Sequence, residues 1–546
     1  MSDTVQALLL QHAERDTPGL KYGDQVRSWR DYLGESAARA HVLHAMADPG
    51  RPVHVGVLMQ NSPEMAMAIA AGALGGHVTV GINTTRRGEG LAADVRRADC
   101  QILLTDHRHL ALLGGLDLGG ATVVDTDDAD WLRRVADAPR GTAGFPAVDA
   151  MDTFMLIFTS GTSGEPKAVR VANFMAVMSG ATLADKFDLT TEDIVYSSMP
   201  MFHSNAILAG YAVHAHAGAA LAPAQFSASR FLSDLRHYGA TYLNYVGKPL
   251  AYLLATPEQP DDRDNPLRVA FGNEASDRDI EEFARRFDCT VWDGFGSTET
   301  AVIITRTDDT PAGSIGQPFD GVAVYDRDTR TECPRAVFDD LGRVTNLDEA
   351  VGELVNTTGA GFFAGYYNDE QATSERLDGG MYWSGDLAYR DEAGFVYLAG
   401  RTDDWLRVDG ENLAAAPIER VLLRNDAVSQ AAVYGIPDAD APGDQLMCAL
   451  VLRDGATLTP VDLQEFLTAQ PDLSPKAWPK FVRIATDLPS TATNKVLKRE
   501  LRAQGTETTD TLFTRSERDL VYRRPRRCSS PSDRPIATTQ PTIMPR

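Results

Sequence analysis

Over the first 400 residues the apolar positions come in short unbroken runs rather than in alternation. Examples are HVGVLM (54–59), QILLTD (101–106), FMLIFTSG (154–161), YLNYVG (242–247), LRVAFGN (267–273) and TVWDGF (290–295). Short apolar runs bounded by Gly or Asn, with room for a helix between them, predict buried parallel strands joined by helical crossovers. A strand that is apolar on both sides is covered on both faces, so the expected architecture is layered α/β. In such sheets ligands gather beyond the carboxyl ends of the strands. Three of the runs lead directly into Gly-rich loops.

The pattern changes near Gly400. GRTDDWLRVDGEN (400–412) is polar and punctuated by glycine, and beyond it helix-like 416–423 and 461–468 alternate with strand-like AAVYGI (431–436) and CALVLR (448–453). The chain therefore divides into a large α/β domain over 1–401 and a small α+β domain over 402–523. The last stretch, 524–546, is rich in Pro, Ser, Thr and Arg without periodicity and reads as a disordered tail. The longest apolar stretch, 206–222, contains Tyr211, His214 and His216 and is thick with Ala and Gly. It reads as a buried helix pair, and no integral membrane span is expected.

Charge narrows the partners. The 546 residues hold 76 acidic and 52 basic side chains, a formal charge of -24. Such a chain has no general attraction for nucleic acid, so a polyanionic ligand needs a locally built site. Only eight of the basic residues are lysines, and two of these fall inside motifs. The five cysteines, 100, 289, 333, 448 and 528, lack CxxC pairing or metal spacing and read as reduced thiols. The opening MSDTVQALLLQHAERD carries acid before a very short apolar run and no basic region, so no secretory leader is expected. The expected compartment is the cytoplasm.

The segment TSGTSGEPK (159–167) follows the strand-like FMLIF. Glycines interleaved with small hydroxylated residues let successive N–H groups face one anion. Thr159, Ser160, Gly161, Thr162, Ser163 and Gly164 are the candidate phosphate cradle, with Lys167 as a point charge. The loop is not a Walker A motif, because Pro166 precedes the lysine and Ala168 follows it.

This loop resembles the phosphate loop of the adenylate-forming superfamily, which includes acyl-CoA synthetases, luciferases and nonribosomal adenylation domains. The resemblance continues in order over about residues 50–520 and implies ATP, Mg²⁺ and coenzyme A as ligands. MPMFHS (199–204) is similar to the next family motif, which implies that His203 lies beside the acyl site. FGNE (271–274) and DGFGSTET (293–300) end successive strands. The resemblance puts Gly272, Asn273 and Glu274 at the adenine, with Phe295 stacking. It gives Thr298 the α-phosphate and makes Glu299, helped by Thr159, the metal ligand; a carboxylate is a hard oxygen donor suited to Mg²⁺. YWSGD (382–386) is similar to the YxTGD motif. It implies that Asp386 accepts from both ribose hydroxyls, which suits a group with two acceptor oxygens and no competing donor. Arg401 is implied at the ribose and Asp403 at the hinge of the small domain. STATNKVLKR (490–499) resembles the motif of the catalytic lysine, here Lys495, which bridges carboxylate and phosphates. The glycine usual before that lysine is Asn494, a residue that tolerates left-handed φ.

FSASRF (226–231), YVGKPLAY (245–252) and RVDGEN (407–412) narrow the resemblance. They are similar to very-long-chain acyl-CoA synthetases, fatty acid transport proteins and actinobacterial ligases of fatty acids and steroid side chains. Tyr245, Val246 and Gly247 are implied in the acyl pocket and Arg407 in the loop that faces CoA. The expected reaction is formation of acyl-AMP and pyrophosphate from acid and ATP, then of acyl-CoA and AMP. Delivery to an acyl carrier protein, or lipid binding with vestigial catalysis, remain alternatives. The oligomeric state is open, a homodimer included.

Overall fold

The computed structural model describes residues 2–160, 166–401, 405–408, 411–437, 444–490, 496–515 and 520–524. Among these residues the expected strands appear as His54–Leu58, Ile102–Thr105, Thr153–Ser160, Tyr242–Val246, Val269–Asn273 and Thr290–Phe295. They belong to two sheets. The six-stranded sheet runs in the order Thr122–Asp125, Ile102–Thr105, His54–Leu58, Val78–Gly81, Thr153–Ser160, Pro166–Ala172, parallel except for its last pair. In the nine-stranded sheet the central strands Thr290–Phe295, Val269–Asn273, Tyr242–Val246, Ile194–Ser197, Ala220–Pro223 and Pro18–Tyr22 are parallel neighbours.

One core joins the two sheets. Val57, Met155 and Ile157 of the first and Val195, Leu221 and Tyr242 of the second share a buried cluster with Tyr32, Met65, Ile69 and Met175 of three helices. Helices Trp29–Met46, Pro63–Gly75 and Asn173–Lys186 thus face apolar surface on both sides, which is why the strands they cover read as unbroken apolar runs. Nine of the 13 residues of the helix Pro63–Gly75 are Ala, Met or Gly. Ser62 caps its start and Gly76, at φ 69°, ends it. A Cβ on Gly72 would lie 2.2 Å from the Thr79 hydroxyl, so only glycine lets helix and strand approach this closely.

The stretch 206–222 departs from the expected helix pair. Ser204–Ala206, a π-helical turn Ile207–Tyr211 and Ala212–Ala217 form one continuous helix, and Ala220–Pro223 is a strand. Gly218, at φ 68°, stops the helix. An Ala- and Gly-rich run has no period that separates helix from buried strand, and the glycine was the only local sign of the switch. His214 on this helix stacks on Trp29 with ring centres 4.5 Å apart, and burial pushes its pKa down to about 3.

A third, largely antiparallel sheet contains Val322–Tyr325, Gly352–Asn356, Met381–Arg390 and Val396–Arg401. The C-terminal part has its own five-stranded sheet, Val428–Pro437, Asp444–Leu452, Phe481–Ala485, Thr511–Arg515 and Tyr522–Arg523. Helices Ala415–Leu423 and Pro460–Thr468 cover it, the second started by a Thr459–Asp462 capping box, and its apolar clusters are separate from the main core. The fold is mixed α/β, a large N-terminal part followed by a smaller C-terminal one. The tail beyond 524 lies outside the described residues.

One buried side chain ties the two large sheets together beside the functional loops. Asn61 donates through Nδ2 to the carbonyls of Ser197, Met199 and Ala224 at 3.0, 2.8 and 3.0 Å. Its Oδ1 accepts from the Met201 N–H at 2.9 Å. Removing it strands several buried backbone groups at once. Asn61→Ala is therefore expected to lower unfolding free energy by roughly 2–4 kcal/mol in urea titrations; a loss under about 1 kcal/mol would contradict this staple role.

Candidate active site

The carboxyl ends of Tyr242–Val246, Val269–Asn273 and Thr290–Phe295 lie side by side, with Val246 opposite Asn273 and Gly272 opposite Asp293. The loop 199–204 arrives there from the strand Ile194–Ser197, and His203 starts the helix that follows, its ring 4.6 Å from Phe202. The next two residues meet the neighbouring strand ends. Ser204 Oγ and Thr298 Oγ1 are 2.9 Å apart. Asn205 Nδ2 donates to the Tyr245 carbonyl at 3.0 Å and to Asn273 Oδ1 at 3.2 Å, while its own Oδ1 accepts from Asn244 Nδ2 at 2.7 Å. Asn205 thus joins the His203 loop to two strands with one amide.

Alternation along Tyr242–Val246 sends Tyr245 and Val246 to opposite faces. The Tyr245 ring is fully buried among Tyr196, Phe231 and Phe283 behind the sheet, and its hydroxyl donates to Asp293 Oδ2 at 2.9 Å. It therefore does not share a wall with Val246, as the acyl-pocket expectation had it, and only its backbone carbonyl joins the Asn205 network. Two glycines are required by this arrangement. A Cβ on Gly272 would lie 2.6 Å from the Tyr245 ring, and one on Gly247 1.9 Å from the Glu274 carbonyl. The opposite face presents Val246, Phe271 and Trp292, with Phe187 6.0 Å from Phe271 and 6.2 Å from Trp292.

Glu274 (φ 67°) and Thr300 (φ 51°) are non-glycine residues in left-handed backbone, one in each of the two strand-end motifs. Such conformations cost about 1–3 kcal/mol each and persist where the surroundings impose them, commonly at functional sites. Between them, Phe295 is half-buried and Glu299 is buried, its Oε1 accepting the Tyr366 hydroxyl at 2.8 Å. The Lys167 ammonium lies 5.3 Å above the Tyr366 ring. Thr159 pairs with Lys167 on the antiparallel strand, and Arg97 donates to the Pro166 carbonyl at 2.7 Å. Asp386, buried, stands opposite Arg401 on the adjacent strand, and the Ser384 hydroxyl accepts from its N–H at 3.0 Å.

The described residues thus bring together Thr298, Asn273 and the His203 loop at one point, and Thr159, Lys167 and Glu299 at another. Gly161, Thr162, Ser163, Gly164, Asp403 and Lys495 lie outside the described residues, as do the side chains of Ser160, Arg401 and Arg407. Sequence reasoning missed Asn205, Asn244, Asp293 and Tyr366. Asn244, a polar residue in the middle of an apolar run, was the one legible sign.

Scans against family models match the AMP-binding enzyme family over residues 10–367 and the AMP-binding enzyme C-terminal domain over residues 417–495. The chain is 50% identical over 511 residues to the medium/long-chain-fatty-acid–CoA ligase FadD17 of Mycobacterium tuberculosis, covering 93% of this chain and 98% of the relative. It is 44% identical over 515 residues to the steroid-22-oyl-CoA synthetase of Rhodococcus jostii, covering 93% and 92%. Among solved structures, ATP-bound MatB from Rhodopseudomonas palustris superposes with a TM-score of 0.80 at 23% identity over 92% of this chain and 99% of that one, a likeness of fold.

Burial pushes the Asp293 carboxyl up to about 7, against the hydrogen bonds from Tyr245 and the Ala275 N–H. A carboxyl raised on folding binds its proton more tightly in the folded state, so its contribution to stability falls as pH rises from the ordinary carboxylate range to about 7. Asp293→Asn removes this titration. The variant's melting temperature relative to the parent is expected to increase between pH 4 and pH 8; parallel pH profiles would refute the assignment.

Proposed function

The chain belongs to the AMP-binding enzyme family, and we propose that it joins a long, apolar carboxylic acid to coenzyme A at the carboxyl ends of its parallel strands. It is an ATP-dependent acid–thiol ligase. The observation that carries this reading is the likeness, across nearly the whole of both chains, to two CoA ligases that are named for apolar acids. The apolar residues Val246, Phe271, Trp292 and Phe187 at these strand ends suit an acid with a large hydrocarbon part, with the Lys186 ammonium 3.7 Å over the Trp292 ring.

In the first step a carboxylate oxygen of the acid attacks the α-phosphorus of ATP, and pyrophosphate leaves. Thr298 and its Ser204 partner offer hydroxyls at the α-phosphate, and Asn273 borders the base. Asp386 takes the ribose hydroxyls with Arg401, its neighbour across the strands. Thr159 and Lys167 border the phosphate loop. The resemblance assigns Lys495 to the two anions, where a cation offsets their repulsion. In the second step the C-terminal domain turns near Asp403, withdraws Lys495 and brings the loop containing Arg407 to the site. The CoA sulfur then attacks the acyl carbonyl, and AMP leaves.

The donor set suits Mg²⁺. Glu299 is a buried carboxylate with one oxygen occupied by Tyr366, and no cluster of three His, Cys, Asp or Glu side chains occurs among the described residues. A divalent ion held by one carboxylate and by the nucleotide's own phosphates fits the habit of Mg²⁺, which keeps few protein ligands. When bound, it neutralises phosphate charge. The four described cysteines are free, which supports the cytoplasm as the compartment.

Lys495→Ala is expected to lower acid-dependent ATP–pyrophosphate exchange by roughly 100-fold or more, with thioester formation from supplied acyl-AMP within about threefold of the parent. Equal loss of both half-reactions would overturn the role of Lys495. Pyrophosphate release across fatty acids of graded length and steroid carboxylates identifies the acid; turnover restricted to short polar acids would refute the apolar assignment.

A further inference from the structure

Glu299 is held by a part of the chain that none of its motifs contains. Tyr366, itself buried, donates to Glu299 Oε1 at 2.8 Å. The Tyr366 N–H is bound by the Thr373 hydroxyl at 3.0 Å, and Thr373 lies in the helix Glu370–Arg376. That helix ends in Arg376, whose charge acts on Tyr366, Tyr382 and Glu299 together. Arg376 Nη1 donates to the Trp383 carbonyl at 3.1 Å. The guanidinium fills the space beside Gly385, where a Cβ would lie 2.7 Å from Nη1, and Gly385 stands at φ 77°. Glu353 fixes that glycine by accepting its N–H at 2.6 Å. Segment 366–376 therefore carries both groups that reach Glu299, and the strand bearing Asp386 leaves a glycine-sized space for one of them.

We propose that Tyr366 and Arg376 are positioning residues for the metal-binding carboxylate of Glu299. A glutamate with both oxygens unconstrained can rotate and present either or both of them. With Oε1 tied to a buried phenol, Oε2 alone is left to face the nucleotide-borne cation. Arg376 supplies the reason the phenol stays put: a guanidinium beside its oxygen favours the orientation in which the hydroxyl hydrogen points to the carboxylate, and donors in series strengthen one another. The same cation balances Glu299 when no divalent ion is bound, so the site need not collapse between turnovers. Outer groups of this type commonly set metal affinity without touching the ion. The inference rests on the reading of Glu299 as the Mg²⁺ ligand.

The test uses the full-length enzyme and its variants Tyr366→Phe, Arg376→Gln, the double variant, and Glu299→Gln as the control. Calorimetric titration of ATP at graded Mg²⁺ gives a readout apart from turnover, and ATP–pyrophosphate exchange gives the Mg²⁺ half-activation and the KM for the acid. Tyr366→Phe and Arg376→Gln are each expected to raise the half-saturating Mg²⁺ roughly tenfold, with the KM for the acid within about twofold. The double variant should be little worse than the worse single one, because the two residues act through one carboxylate. If Glu299→Gln shifts the Mg²⁺ dependence while both single variants leave it unchanged, the positioning role is wrong. If Glu299→Gln leaves it unchanged too, the metal reading itself fails. A variant that only lowers the melting temperature, at unaltered Mg²⁺ dependence, also counts against the proposal.

Discussion

Loops at the ends of parallel strands have no ladder of their own, and buried amides hold this site together in its place. Asn61 satisfies the backbone of the 197–201 segment from the six-stranded sheet, and Asn205 then ties the far end of the same loop to two strands of the nine-stranded sheet. Asn244 completes the chain by donating to Asn205. An amide suits this work because it donates and accepts at once, and an unmet backbone group in the interior costs about as much as a lost hydrogen bond. Everything placed by the His203 loop, including the Ser204–Thr298 contact, depends on that series of amides.

The same logic explains what could and could not be read from the chain. The six apolar runs were legible because burial on both faces removes the polar alternation that would otherwise blur a strand, and the motif order put Thr298 and Glu299 just past a strand end, while Asp386 lies within the strand Met381–Arg390. That Tyr245 and Val246 take opposite faces was not legible, because a motif string carries no record of which face its residues take; alternation along Tyr242–Val246 decides it, and the Asp293 partner of Tyr245 is 48 residues away. Tyr366 and Arg376 were not legible for a similar reason. A tyrosine at the end of the aromatic run GFFAGYY (361–367) reads as core and an arginine in the polar QATSER (371–376) as surface, and neither string shows the link to Glu299, 67 residues from Tyr366. The run 206–222 misled because Ala and Gly carry no period.

Net charge makes the local cations matter more. A chain with a formal charge of -24 repels a polyanion at long range, and salt screens that repulsion beyond about 10 Å. Inside that distance the outcome rests on a few residues. Lys167 over Tyr366 and Arg376 beside it place two positive charges around one phenol, next to the carboxylate of Glu299 proposed above to take a divalent ion. Fixed cations at a half-buried site also cost little to reorganise when phosphate charge moves, which is the general advantage of preorganised electrostatics.

The contacts between the C-terminal part and the rest are of a different character. Arg278 pairs with Asp426 at 3.0 Å and Arg453 approaches Asp279 at 3.9 Å, while Arg420 donates to the Gly313 carbonyl at 3.0 Å. Asp426 is almost fully exposed, and exposed ion pairs contribute little to stability because water and salt compete for both partners. The apolar clusters of the C-terminal sheet are internal to it and do not merge with the main core. The two-step reaction proposed above, in which one lysine is withdrawn and another loop presented, needs a domain that stays folded while it lets go. Among the described residues, internal cores joined by polar contacts and by one small apolar one, Ala414 in the cluster of Leu387, Tyr389 and Tyr397, meet both demands. A buried apolar interface of the same extent would hold the domain in one position and favour one half-reaction at the expense of the other.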